Sequence, residues 1–285
     1  MSSIDICNSV ARHILDIASL SDDHIHQILK QAHFYELNAN TPEPVNSAQK
    51  AIPQTLAGRT VALVFYEAST RTRVSFELAA LQLGARVINI QGAASSATKG
   101  ETLRDTMLTL SAMGVDCIVL RHPQNGAAGE LAAFAPEGMS IINAGDGTNA
   151  HPSQALLDVQ TLLSQSLSIP DSTLTIVGDI RHSRVARSNI QLWHRLSGKK
   201  IQLAGPEYFL PKADDLSEMQ SLGAISTHQS FDEALATTDV LMMLRIQKER
   251  IAGAKTQDQE QYPRAGGLTE ERREQLPANA QVWQP

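Results

Sequence analysis

The sequence predicts an α/β protein of two units, each a parallel sheet flanked by helices, with a linking helix between them. Three observations predict it. Short runs of β-branched and aliphatic residues alternate with helix-length patterns, the mark of strands buried on both faces. The 285 residues suffice for about two domains at roughly 150 residues each. Hydrophobic residues at 42% and charged residues at 19% describe a globular chain rather than a disordered one. Aromatics are 4%, so the core is expected to be aliphatic.

The elements follow in order. Residues 10–37 carry apolar residues at helical spacing, with a second helix starting after Ser21, where Asp22 and Asp23 suit a first turn. Residues 38–53 are polar, hold three prolines and read as a loop. Strands are expected at 60–65, 87–90, 117–120 and 140–142, with helices near 74–84, 101–114 and 127–134 between them. A linking helix over 152–166 follows the loop GDGTNAH. The alternation resumes with strands at 174–177, 201–204 and 240–244 and helices at 184–197 and 212–222. The units are set at 1–150 and 151–285. In such Rossmann-like sheets, ligands bind where strands end and loops lead into helices.

Several function classes are excluded by composition. The net charge is −6 with no basic block, which argues against nucleic acid. The longest apolar run is six residues, 61–66, against the roughly 20 that a membrane span needs. The N-terminus lacks the pattern of a signal peptide. Two cysteines, Cys7 and Cys117, cannot build a disulfide framework or a four-thiolate zinc site. The expectation is a cytoplasmic protein with reduced thiols, without metal or cofactor.

Three loops hold the chemistry of the first unit. Ser69-Thr70-Arg71-Thr72-Arg73 lies where a strand hands over to a helix. Unpaired amides at a helix N-terminus attract anions, hydroxyls add donors, and guanidinium supplies a two-point fork for phosphate. Each charge-assisted hydrogen bond is worth roughly 1.5–3 kcal/mol. The bland alternative is a Ser/Thr N-cap with two solvated arginines. Arg121-His122-Pro123-Gln124 follows the third strand. His151-Pro152-Ser153-Gln154 opens the linking helix and puts His151 and Gln154 on one face. Alone, that motif reads equally as a His N-cap with an exposed Gln. Neither His122 nor His151 lies in an H-E-x-x-H or Cys/His ligand pattern, and Asp146-Gly147 lacks the acidic spacing of a calcium loop.

The strings FYEASTRTRVSFE, TKGE, RHPQ, GDGTNAHPSQALLD, GDIRHSRVARS and RIQKER occur in one order from about residue 10 onward. Together they resemble the aspartate/ornithine carbamoyltransferase family, and its aspartate branch in particular. Glu67 before Ser69-Thr70-Arg71-Thr72-Arg73, Leu157 before Asp158, and RIQKER in place of an ornithine-recognition motif carry that distinction.

The resemblance implies a phosphate site at Ser69, Thr70, Arg71 and Thr72, with Arg121, His151 and Gln154 at the carbamoyl end. It implies that Ser95 and Lys99 reach into a neighbouring subunit's site, hence a homotrimer. It implies aspartate binding by Arg184, Arg245 and Gln247 together with Lys99. Arg71, Thr72, Lys99, Arg121 and His151 form the implied catalytic set, with regulatory or dihydroorotase-like chains as further partners. The implied reaction carbamoylates the α-amine of L-aspartate in pyrimidine biosynthesis. A carbamoyltransferase for another amino acid and a non-catalytic homologue are the competing readings. The family's His-Pro-x-Pro loop would begin where Gln284-Pro285 stand. The expectation drawn from that departure is a weakened or inactive chain.

Overall fold

The computed structural model describes residues 11–39, 52–91, 102–245 and 267–285. It is an α/β structure with two parallel sheets, one in each of two compact units, Met1–Leu156 and Leu157–Pro285.

In the first unit, helix α1 (Asp22–Ala39) precedes β1 (Thr60–Phe65), α2 (Thr70–Gln82), β2 (Arg86–Gln91), α3 (Leu103–Ala112), β3 (Cys117–His122), α4 (Ala127–Ala133) and β4 (Ser140–Asp146). The parallel strands lie in the order β2-β1-β3-β4. Both faces of β1 are buried, which is why its sequence is apolar without alternation. Ala62 and Val64 pack with Met107, Leu110 and Leu131 from α3 and α4. Val61, Leu63 and Phe65 pack with Ala80 of α2 on the other face.

Among the described residues 11–20, the helix expected before Ser21 does not form. Ile14 instead forms a parallel bridge to Ile142, with Ile14 N donating to Ile141 O (2.9 Å) and Asn143 N donating to Ile14 O (2.8 Å). The segment covers the open edge of β4, a hazard left unpaired. Its apolar residues Ile17 and Leu20 are buried, so their spacing served burial and not a helix. Helix α1 does start after Ser21, whose Oγ accepts from His24 N (3.1 Å).

Helix α5 (Pro152–Ser164) leads into the second unit. There β5 (Thr173–Val177), α6 (Arg184–Arg195), β6 (Lys200–Ala204), α7 (Ala213–Leu222), β7 (Ile225–His228), β8 (Val240–Met243), α8 (Glu270–Gln275) and β9 (Gln281–Trp283) follow. All five strands are parallel, in the order β7-β6-β5-β8-β9. Val177, Ala204 and Leu241 pack on Phe231, Ala234 and Leu235 on one face. Ile190, Leu192 and Trp193 of α6 are fully buried. Strand β7 escapes periodicity because Ile225-Ser226-Thr227-His228 offers one aliphatic residue; pairing with β6 makes it a strand.

Among the described residues no helix is long and apolar enough to cross a membrane. Cys117 is a free thiol whose pKa burial pushes up to about 12, so it stays protonated at neutral pH.

Candidate active site

In each sheet the strand order reverses at one point. In the first it lies between β1 and β3, and in the second between β5 and β8. Crevices at the C-terminal ends of such strand pairs are where open α/β sheets bind ligands. The loops that follow β1, β3 and β5 emerge there, and the loop of His151 follows β4, the neighbour of β3.

Helix α2 begins at Thr70, four residues before the expected start. Its start is set by the backbone turn (Arg73 N to Ser69 O, 3.3 Å) and not by apolar period, which Thr70–Arg73 lack. The amides of Thr70, Arg71 and Thr72 therefore fall in the first turn, where no intrahelical acceptor exists. Ser69 occupies the N-cap with extended backbone, and its side chain makes no capping hydrogen bond. The N-cap position expected of the bland reading is therefore present, and the capping bond is not. Arg71 is exposed and Thr72 half-buried. Arg73 is turned away: it bonds Glu77 and Asn89, each at 3.3 Å.

Arg121 stands at the end of β3. One terminal nitrogen donates to Thr72 Oγ1 at 3.5 Å and to Ala144 O at 3.3 Å. Its Nε faces Glu67 Oε2 at 3.4 Å, the two side chains being 15% and 22% exposed. The β3–β4 register slips beside it: Leu120 pairs with Asn143 but His122 with Asp146. The extra residue lies at Ala144-Gly145, with Gly145 at φ +113°. A bulge of this kind re-aims the side chains around it.

The two loops beyond β3 and β4 are stitched together. Gly126 N donates to Asp146 Oδ2 (2.7 Å), Thr148 N to Asn125 Oδ1 (2.8 Å) and Gly147 N to His122 O (2.9 Å). Gly147 sits at φ +47°, and a Cβ there would lie 1.8 Å from Asn125 Oδ1. Glycine is required by both facts. His122 packs edge-on against Tyr66 at 4.9 Å, and its Nδ1 accepts from Gln124 N at 3.1 Å. Burial lowers its pKa despite nearby carboxylates, so it is neutral at pH 7. His151 is 5% exposed and heads α5, its carbonyl accepting from Gln154 N (3.1 Å) and Ala155 N (3.3 Å). Its Nδ1 lies 3.3 Å from Ser153 Oγ. Gln154 is half-buried one turn along.

In the second unit Arg184 opens α6 and is 4% exposed. Ser183 caps that helix, accepting from Ala186 N at 3.2 Å. Its neighbour Arg181 is committed elsewhere, donating to Tyr208 O at 2.9 Å. Arg245 is exposed and follows β8, where Leu244 N bonds Val177 O of β5 at 2.8 Å. Both arginines thus stand at the C-terminal ends of the strand pair where the order reverses. Ser95, Lys99 and Gln247 lie outside the described residues.

The first unit therefore presents a helix N-terminus, hydroxyls and a fixed guanidinium, a set suited to a phosphate with a polarised carbonyl beside it. The second presents two guanidinium groups, suited to carboxylates. Among the described residues no group of three or more potential metal ligands occurs. Sequence reasoning missed Asn125 entirely and weighed Asp146 only as a calcium ligand. It also missed the pair formed by buried Asp179 and His182 Nδ1, 2.8 Å apart. The signal available was the glycine beside each: Gly147 marks a close approach, and Gly126 and Gly178 positive φ angles.

Residues 12–164 match the family model described as the aspartate/ornithine carbamoyltransferase, carbamoyl-P binding domain. The chain is 44% identical over 277 residues to the aspartate carbamoyltransferase catalytic subunit of Mycobacterium tuberculosis, covering 96% of this chain and 83% of that protein. It is 42% identical over 279 residues to that of Mycolicibacterium vanbaalenii, covering 96% and 84%. Aspartate transcarbamoylase from Trypanosoma cruzi, crystallised with carbamoyl phosphate and aspartate, superimposes with a TM-score of 0.83 at 28% identity, covering 97% of this chain and 85% of that one.

Proposed function

Since this chain belongs to the aspartate/ornithine carbamoyltransferase family, we propose that it transfers the carbamoyl group of carbamoyl phosphate to the α-amine of L-aspartate. The products are N-carbamoyl-L-aspartate and phosphate, a step of pyrimidine biosynthesis. The observation that carries the reading is Arg121 held between Thr72 and Ala144 beside the first turn of α2. A donor so held, next to a helix end suited to an anion, supports the reading.

Ser69, Thr70, Arg71 and Thr72 hold the phosphate, with Ser95. Arg121, His151 and Gln154 address the carbamoyl group. The neutral amine of aspartate attacks the carbonyl carbon, and charge builds on the carbonyl oxygen. Arg121, Thr72 and His151 stabilise that charge as donors already in place, where one such donor is worth about 2.7–4 kcal/mol. The C–O bond to phosphate breaks, and the departing phosphate takes the proton that the amine sheds. Arg184, Arg245 and Gln247 bind the carboxylates of aspartate. Much of the rate gain is positioning, and no covalent enzyme intermediate is needed.

Lys99 and Ser95 act from a neighbouring subunit, so the working form is a cytoplasmic homotrimer, closed by head-to-tail contacts. Attachment of regulatory or dihydroorotase-like chains belongs to the same reading. The relatives named above support aspartate as acceptor and give no support to another amino acid or to a non-catalytic role. The test is carbamoyl transfer to aspartate and to ornithine, side by side. Carbamoyl aspartate as the product is the expected result. Transfer to ornithine alone, or to neither, overturns the reading.

A further inference from the structure

The Asp146 carboxylate is 2% exposed and is surrounded by four donors. Oδ1 accepts from Asn143 Nδ2 (2.9 Å) and Ala150 N (3.0 Å), and Oδ2 from Gly126 N (2.7 Å) and Asn149 Nδ2 (3.0 Å). None of these donors is cationic. A buried carboxylate is costly unless each oxygen is satisfied, so this one fixes whatever it touches. Ala150 is the residue before His151. Gly126 ends the loop that follows the strand carrying Arg121. One side chain therefore sets the separation of the two loops that carry those groups. Asn125 reinforces it by spanning to Thr148 (Oδ1 from N, 2.8 Å).

We infer that Asp146 is a positioning residue for carbamoyl transfer: it touches no substrate and acts by holding His151 in register with Arg121. The inference rests on the function proposed above. A misplacement of about 1 Å in such a group costs on the order of 100-fold in rate.

The test compares wild type, Asp146→Asn, His151→Ala and the double variant. The isosteric amide replaces one acceptor oxygen with a donor, which opposes two of the four N–H groups. The expected result for Asp146→Asn is a fall in kcat of about 100-fold with little change in KM for aspartate. The double variant should be no slower than His151→Ala alone, because residues acting as a unit are non-additive. The His151 ring resonances in a 1H–15N spectrum should move, while those of His24 on α1 stay. Multiplying losses, a kcat within about threefold of wild type, or an unmoved His151 ring each overturn the inference. If wild type makes no carbamoyl aspartate, the proposed function fails, and the ring shift still judges the placement. If Asp146→Asn does not fold, Asn125→Ala takes its place. It should shift the same ring with a milder loss, of about tenfold, and an unmoved ring again overturns the inference.

Discussion

Replacing Arg121 by alanine separates the chemistry of the first unit from its stability. The substitution removes the bonds to Thr72 and Ala144 O and the ion pair to Glu67. The pair is neither exposed nor sealed, at 15% and 22% exposure. Exposed pairs contribute about 0–1 kcal/mol, and breaking a buried one costs about 3–5 kcal/mol. An intermediate cost of about 1–2 kcal/mol leaves a domain of about 5–15 kcal/mol folded. The rate is a different matter. Loss of one donor to a developing oxyanion costs about 2.7–4 kcal/mol, or 100- to 1000-fold in kcat. Arg121→Lys keeps the charge but not the guanidinium plane, whose one terminal nitrogen reaches Thr72 and Ala144 while Nε faces Glu67, so it should recover only part of the loss. Initial rates of carbamoyl aspartate formation at saturating substrate, with thermal unfolding of the same samples, measure both terms. A folded Arg121→Ala protein that keeps more than about a tenth of the wild-type kcat would refute the role of this side chain as an oxyanion donor.

Gly147→Ala should lower both the melting temperature and kcat, because its Cβ would collide with Asn125 Oδ1 and Pro123 O in a backbone region costing about 1–2 kcal/mol for alanine; an unchanged melting curve and rate would count against the tight loop pairing. Asp116→Asn should cost about 1 kcal/mol at pH 7, since the carboxylate accepts from Thr60 N at 2.8 Å and Arg59 at 2.7 Å near solvent. The backbone bond to Thr60, with Arg59, holds the folded Asp116 pKa below its ordinary 3.8; its contribution is therefore complete above that value and is lost as pH falls through the lower folded one, so denaturation curves of wild type and variant should converge in acid. Gln202→Ala should cost about 2–4 kcal/mol in denaturant midpoint, because Gln202 is 2% exposed and its amide bonds Thr175, Ala234 O and Thr237 inside the second unit.

The strands were legible where burial is two-sided. A run such as Val61-Ala62-Leu63-Val64-Phe65 can only be satisfied by packing on both faces of a sheet, and it does so here. Ends were less legible because they are set by hydrogen bonds rather than by period. Helix α2 starts within polar Thr70–Arg73, and β4 runs on through Asn143-Ala144-Gly145-Asp146, where the apolar pattern has already stopped. Residues 11–20 show the opposite failure. Ile14, Ile17 and Leu20 have helical spacing, yet the free edge of β4 supplied the hydrogen bonds at Ile14, and an extended bridge resulted.

The candidate site divides along the same physical line. Residues with distinctive donors, such as Arg71, Thr72, Arg121 and His151, announce their chemistry by type, and their motifs single them out. Asp146 and Asn125 act by accepting backbone N–H groups from a loop some 20 residues away in sequence, a relation that no local spacing encodes. The same carboxylate that looked like an incomplete calcium ligand is complete once Gly126, Asn143, Asn149 and Ala150 are brought to it. An acidic residue between glycines is thus ambiguous in one dimension, because metal ligation and amide capture ask for the same oxygen atoms. Burial decides between them here: at 2% exposure, a carboxylate with four neutral donors has no lone pair to spare for a cation, and its function is to hold the loops that carry the chemistry.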